Sequence, residues 1–193
     1  MTDLEILTVD NPEQLKILRS KSRNVQRVTP KLASLAQRML ETMRVANGVG
    51  LAAPQVGVLQ RFFVVELPED EENNLPAETY ILFNPEIVKG RGEQIGTEGC
   101  LSIPGYIGEV ARQEQITVQG LDERGRPVRF KAKGYLARVF QHEIDHLDGV
   151  LFTDRLTDPD TFRPVEVGQE EVAELRADAE LRAAAELRAD ADL

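Results

Sequence analysis

Cysteine is almost missing from this 193-residue chain: Cys100 stands alone. One thiol cannot close an internal disulfide, so the fold does not depend on an oxidising compartment, and a free thiol keeps best in a reducing one. Long apolar runs are missing too, the longest falling far short of the roughly 20 residues a bilayer span needs. The first 25 residues carry Asp3, Glu5, Asp10 and Glu13 where an export signal would have a basic start and an apolar stretch. These absences point to a soluble, cytoplasmic protein with no membrane partner. Basic charge is also short, the net charge being -10. A nucleic-acid binder needs basic surface to displace counterions, so no direct nucleic-acid binding is expected. Histidine is the last scarcity, with only His142 and His146.

What is present suits one domain of moderate size plus some extra chain, since 193 residues at 41% hydrophobic content can bury a self-sufficient core. Thr29-Pro30 has the cap-then-proline order of a helix start, and Leu32, Leu35, Met39, Leu40 and Met43 recur at helical spacing up to Asn47-Gly48. That amphipathic helix leads into a glycine-rich stretch, Gly48 to Gly57. Short β-like runs follow at 61–67, 80–84, 86–89, 115–121 and 127–132, with Asp122 to Gly125 as a hairpin turn. Pro68 to Glu78 is acidic, polar and proline-bearing, and predicts an exposed loop.

Gly134 and Gly149 bracket a second helix with Leu136, Val139, Phe140, Ile144 and Leu147 as its apolar stripe. Glu143 projects into the middle of that stripe, while His142 and His146 share one margin. A helix chosen only to pack would not put a carboxylate there, because an unpaired buried charge is costly or shifts its pKa.

Beyond the predicted domain, 1–157, lies an acidic extension, 158–193. From Val165 onward nine carboxylates stand against three arginines, so this segment carries six of the ten net negative charges. Ala-Glu-Leu-Arg recurs at 173, 179 and 185. A period of six turns each successive leucine by about 240° on an ideal helix, so no coiled-coil seam forms. A solvated helix or a disordered tail is expected.

His-Glu-x-x-His on a helix puts two imidazoles one turn apart on one face, where they can share a metal, with the glutamate in reach of a bound water. A third protein ligand is needed and no histidine remains. Cys100 competes for that place with Glu166, Glu170 and Glu171, which lie at a plausible distance downstream for a metalloprotease-like glutamate ligand. By default a lone cysteine is a small buried hydrophobe. Here Gly99 permits close backbone approach, and Ser102-Ile103-Pro104-Gly105 reads as a turn that would hold a thiolate on a rigid strand end. Gly48 to Gly57 is neither a dinucleotide nor a P-loop fingerprint. Its one polar side chain, Gln55, offers an amide N–H of the kind that stabilises an oxyanion beside a metal-bound water.

GVGLAAPQ at 48–55, EGCLS at 98–102 and QHEIDHLDG at 141–149 resemble, in order and spacing, the three signature motifs of peptide deformylases. The resemblance spans about residues 5 to 157. It implies an α+β fold in which antiparallel β-sheets surround a central metal-binding helix, with an N-terminal helix and the acidic tail outside. It also implies that Cys100, His142 and His146 bind one divalent metal, Fe(II) by family habit, with zinc or nickel able to substitute. The implied reaction is hydrolysis of the N-formyl group from the initiator methionine of nascent polypeptides, with Glu143 as general base and acid. Gln55 and the backbone N–H of Leu101 would hold the oxyanion. Backbone near Gly48 and Gly50 would admit the small formyl group, and Val49, Tyr135, Val139 and the stem of Arg138 would line the methionine pocket. Glu98 and Arg112 would pair behind the ligands. A monomer, working in transient proximity to the ribosome, is the expected state. A zinc endopeptidase with a glutamate third ligand and a catalytically silent metal-stabilised binding module are the competing readings.

Overall fold

Phe62-Phe63-Val64-Val65 is a continuous apolar run, the pattern of a strand buried on both faces. In the computed structural model, which describes residues 4–67 and 77–165, that strand organises everything else. The elements in chain order are α1 (Pro12–Leu18), α2 (Pro30–Val45), β1 (Gly50–Ala52), β2 (Phe62–Leu67), β3 (Glu78–Arg91), β4 (Gln94–Cys100), β5 (Ile103–Arg112), β6 (Gln115–Leu121), β7 (Pro127–Lys133) and α3 (Gly134–Leu147). Short 3-10 turns lie at Ala53–Val56, Phe152–Arg155 and Pro159–Thr161. An all-antiparallel five-stranded sheet has the order β1-β2-β3-β6-β7, and a second sheet is built on the β4–β5 hairpin.

Alternation along β2 sends Phe62 and Val64 to one face, where they meet Met39, Leu40 and Met43 of α2. Phe63 and Val65 go to the other face and pack with Ala137, Phe140 and Leu147 of α3. Each fully buried side chain of this size contributes about 1.5–3 kcal/mol, so the sheet is clamped from both sides. The ring of Phe62 also stacks on Phe83 at 4.8 Å. On the far side of α3 lies the β4–β5 hairpin, so the helix sits between the two sheets. This is the α+β arrangement that the motifs imply.

Several elements differ from expectation for identifiable reasons. The two predicted strands at 80–84 and 86–89 are one long β3, with register shifts between Phe83 and Glu86 and between Ile87 and Lys89. Asn84 at φ 50° and Pro85, the residue between the two predicted runs, make a bulge within it. α1 was not predicted, although Asn11 caps it by accepting from the N–H groups of Glu13 and Gln14, with Pro12 in the first turn. The sequence predicts β4 only as the strand end that carries Cys100, and β5 not at all, because their glycines hide a strand pattern. Gly105, expected in a turn, lies within β5 at φ 79°, and the turn itself is Leu101-Ser102. The β6–β7 turn is as expected, Asp122 Oδ1 accepting from the N–H of Arg124 and Arg126.

α3 is more deeply placed than an amphipathic stripe suggests: every residue from Ala137 to Leu147 except His142 is buried. Its polar members therefore need partners, and those partners build the site. Two units separate along the chain, residues 1–163 and 164–193. Contacts of the first unit continue past residue 157, since Glu109 N–H donates to Thr161 Oγ1 at 3.1 Å and Phe162 stacks on Tyr106 at 5.0 Å. The predicted loop falls largely at 68–76, and the tail repeats and the candidate ligands Glu166, Glu170 and Glu171 at 166–193; all of these lie outside the described residues. No described helix is long and apolar enough to cross a membrane.

Candidate metal centre

Three donors from two elements converge. Cys100 ends β4, where the register steps from Gly99 opposite Ile107 to Cys100 opposite Ile103. His142 and His146 stand one turn apart on α3. One donor atom from each lies within 4.8 Å of the others, and Cys100 Sγ is 3.1 Å from His146 Nε2. Burial alone would push the Cys100 thiol up, but the His146 and His142 rings override it and hold its pKa well below the ordinary value. Burial likewise opposes charge on His142, and Cys100 and Glu98 nevertheless raise its pKa well above that of free imidazole. A thiolate between two imidazoles marks a place where positive charge is stabilised.

The donor set fits a divalent transition metal. Thiolate and imidazole are ligands for zinc, iron and nickel alike. His142 donates from Nδ1 to Glu98 Oε2 at 2.9 Å, which fixes the tautomer and turns Nε2 toward Cys100 and His146. Among the described residues, Cys100 is the side chain brought together with the two imidazoles as a group that could hold a metal.

Gln55 sits in the 3-10 turn after β1 and is buried. Its Oε1 accepts from Ala52 N–H at 2.8 Å, so its NH2 must point the other way. That group donates to Ser102 Oγ at 3.2 Å and lies 3.5 Å from Cys100 Sγ. The N-terminal segment ties the two pieces together, Leu7 N–H donating to Gln55 O at 2.8 Å and Val9 N–H to Ser102 O at 3.0 Å. Ser102 was not singled out from sequence. Only its contact with Gln55 reveals it.

Glu143 is 3% exposed, and its Oε2 has no hydrogen-bond partner among the described residues. Burial is the chief reason its pKa rises to about 7, against the opposing pull of His142 and His146. A carboxyl titrating near neutrality can both take and give a proton. Gly50 makes room for it: a β-carbon there would lie 2.2 Å from Glu143 Oε1. Gly48 performs the same service for Leu101, whose Cδ1 would lie 2.7 Å from an added β-carbon. Both glycines thus accommodate neighbouring side chains of the site.

Glu98 and Arg112 do pair, through Nε and Nη2 of Arg112 at 2.9 Å to the two carboxylate oxygens, and both are buried. Burial would raise the Glu98 carboxyl, but the hydrogen bonds from His142 and Arg112 hold it at about 2. Of the four pocket candidates, Val49 and Val139 share one apolar cluster, and Tyr135 is mostly exposed at the start of α3. Arg138 is buried, and its Nη1 donates to Glu98 Oε1 at 2.8 Å and to Val110 O at 3.0 Å. The family resemblance implicates only its stem.

A His-Glu-x-x-His helix enclosed by antiparallel sheets, with a thiolate completing the donor set, defines the class: a metallohydrolase. The polypeptide deformylase profile matches residues 3–162. A peptide deformylase of Thermomicrobium roseum is 49% identical over 170 residues, covering 88% of this chain and 94% of the relative. One of Symbiobacterium thermophilum is 52% identical over 160 residues, covering 82% and 70%. Among solved structures, peptide deformylase from Thermus thermophilus superposes with a TM-score of 0.72 at 46% identity, covering 82% of this chain and 88% of that one. The chain belongs to the polypeptide deformylase family, whose members are metal-dependent hydrolases.

Proposed function

We propose that this protein removes the N-formyl group from the N-terminal methionine of newly made polypeptides and releases formate. The observation that carries the reading is the convergence of Cys100, His142 and His146 within 4.8 Å, flanked by a buried carboxyl and a buried amide. Those three side chains would hold the divalent ion, iron(II) by family habit, with zinc or nickel in its place. When bound, the ion supplies Lewis acidity and brings the pKa of a water toward neutrality.

Glu143 accepts a proton from the attacking water as the water oxygen bonds to the formyl carbon. The oxyanion that develops is met by the Gln55 NH2, whose direction is set by the Ala52 N–H on its other end, and by the Leu101 backbone N–H. Glu143 then delivers its proton to the amine nitrogen as the C–N bond breaks. Formate and a free amino terminus result. Val49, Val139, Tyr135 and the Arg138 stem would receive the methionine side chain, and the close packing of Leu101 on Gly48 and of Glu143 on Gly50 favours formyl over larger acyl groups.

Formate release from a formyl-Met peptide, measured on protein loaded anaerobically with iron(II) or nickel(II), tests this. Wild type should turn over and Glu143→Gln should not. A metallated wild type without activity refutes the assignment.

A further inference from the structure

Asp145 and Arg155 have no part in the mechanism above, yet they continue the hydrogen-bond chain that starts at a metal ligand. His142 Nδ1 donates to Glu98, and Arg112 grips Glu98 with two nitrogens. The third side of the same guanidinium, Nη1, donates to Asp145 Oδ2. Asp145 is gripped in turn by Arg155, from Nε at 2.5 Å and from Nη2 at 2.6 Å. Arg112, Glu98 and Asp145 have side chains only 3%, 4% and 10% exposed, whereas that of Arg155 is 46% exposed. The chain therefore runs from the partly buried ligand His142 through a buried interior to the surface.

We infer that Arg155 and Asp145 are positioning residues for the metal centre, holding Arg112 and Glu98 in register so that the His142 ring presents Nε2 to the ion. The inference rests on Cys100, His142 and His146 being the metal ligands. Charge balance gives the reason. Glu98 already receives Arg112, Arg138 and His142. Without a second carboxylate, Arg112 would keep a buried N–H unpaired and would draw more strongly on Glu98, weakening the acceptor that orients His142. Asp145 supplies that carboxylate, and a bidentate clamp on Asp145 limits its rotation. Arg155 forms the clamp from the segment beyond α3, where a 3-10 turn at 152–155 brings it back against the helix.

Arg155 also borders an open cavity of about 350 Å³ with Gly92, Glu93, Gln113 and Ile144. A small cation can therefore reach the place its guanidinium would leave. This permits a test that separates positioning from mere folding. Cobalt(II) serves as the probe, its thiolate charge-transfer and ligand-field bands reporting occupancy and ligand geometry.

Arg155→Ala should weaken cobalt(II) binding by roughly tenfold, the lower end of what lost outer-shell partners cost, and should alter the ligand-field bands. Asp145→Asn should do the same or more. Methylguanidinium should restore affinity to Arg155→Ala but leave Asp145→Asn unchanged, and Arg155→Lys should fall between wild type and Arg155→Ala. Cobalt(II) affinity and bands unchanged in both variants, with wild type binding normally, overturn the inference. So does an affinity loss that only parallels a lower melting temperature of the metal-free protein. Wild type that binds no cobalt(II) through its thiolate overturns the ligand assignment itself, which is a distinguishable result.

Discussion

Gly50→Ala adds one methyl group directly against the residue assigned as the base. The new β-carbon would lie 2.2 Å from Glu143 Oε1, 2.7 Å from its Cδ and 3.0 Å from its Cγ. Ordinary contact begins at 3.4 Å, so the carboxylate must retreat by about 1.2 Å. Gly50 is not among the positive-φ glycines, so alanine is admissible there conformationally and the perturbation is steric. Overpacking costs about 1–3 kcal/mol, and the stiffer unfolded chain returns about 0.4–1 kcal/mol. A net loss of about 1–2 kcal/mol leaves the protein folded. Misplacing a catalytic group by about 1 Å costs on the order of 100-fold in rate, equivalent to about 2.7 kcal/mol of transition-state stabilisation. The three atoms nearest the new methyl all belong to Glu143 and none to a metal ligand, so metal content should be unchanged. The assay is kcat/KM for formate release at equal metal occupancy, with near-ultraviolet circular dichroism as the check on folding. A variant within about threefold of wild type would refute the claim that close packing on β1 fixes the Glu143 carboxylate.

Gln55→Leu removes both the acceptor for Ala52 N–H and the amide donor, so it should cost about 1–3 kcal/mol of stability and on the order of 100-fold or more in kcat. Thermal unfolding alongside kinetics at equal metal occupancy will show both losses. Gly149→Ala should destabilise by roughly 1–3 kcal/mol in denaturant titration, because Gly149 sits at φ 73° and a β-carbon there would be 2.4 Å from Arg19 O. Glu66 has its carboxyl lowered from 4.5 to about 2, chiefly by the hydrogen bond from Arg44. A depressed folded-state pKa adds stability that is fully present above the unfolded value and is lost as pH falls through the folded one. Wild type should therefore exceed Glu66→Gln by a constant margin above pH 4.5, at most about 1 kcal/mol for so exposed a pair, and the margin should vanish toward about pH 2.

His142, Glu143 and His146 were legible because a helix converts a four-residue spacing into one face, and the glutamate inside an apolar stripe declared itself as a buried charge. β2 and the β6–β7 hairpin were legible for the same local reason, an apolar run in one case and Asp122 to Gly125 in the other. Cys100 could be named by motif, but its rivals Glu166 and Glu170 could not be dismissed by spacing alone. Convergence with the two imidazoles required the β4–β5 hairpin, and that hairpin carries no readable strand pattern. Its glycines are placed for distant neighbours: a β-carbon at Gly96 would lie 3.0 Å from Arg138 Nη2, and one at Gly108 would lie 2.4 Å from Leu156 Cδ2. Both contacts span more than 40 residues of sequence.

Periodicity and residue type over a few turns were enough for the central helix, for the two-sided β2 and for the chemical character of the site. The motif resemblance names the Glu98–Arg112 pair, but the further partners of the site's arginines emerge only on folding. Arg112 divides its guanidinium between Glu98 and Asp145, Arg138 also donates to Glu98, and Arg155 closes on Asp145. Charged side chains have no periodicity that names a partner. Their pairing is set by where the backbone brings them once the apolar faces have been buried, and by the cost of leaving any one of them unpaired there.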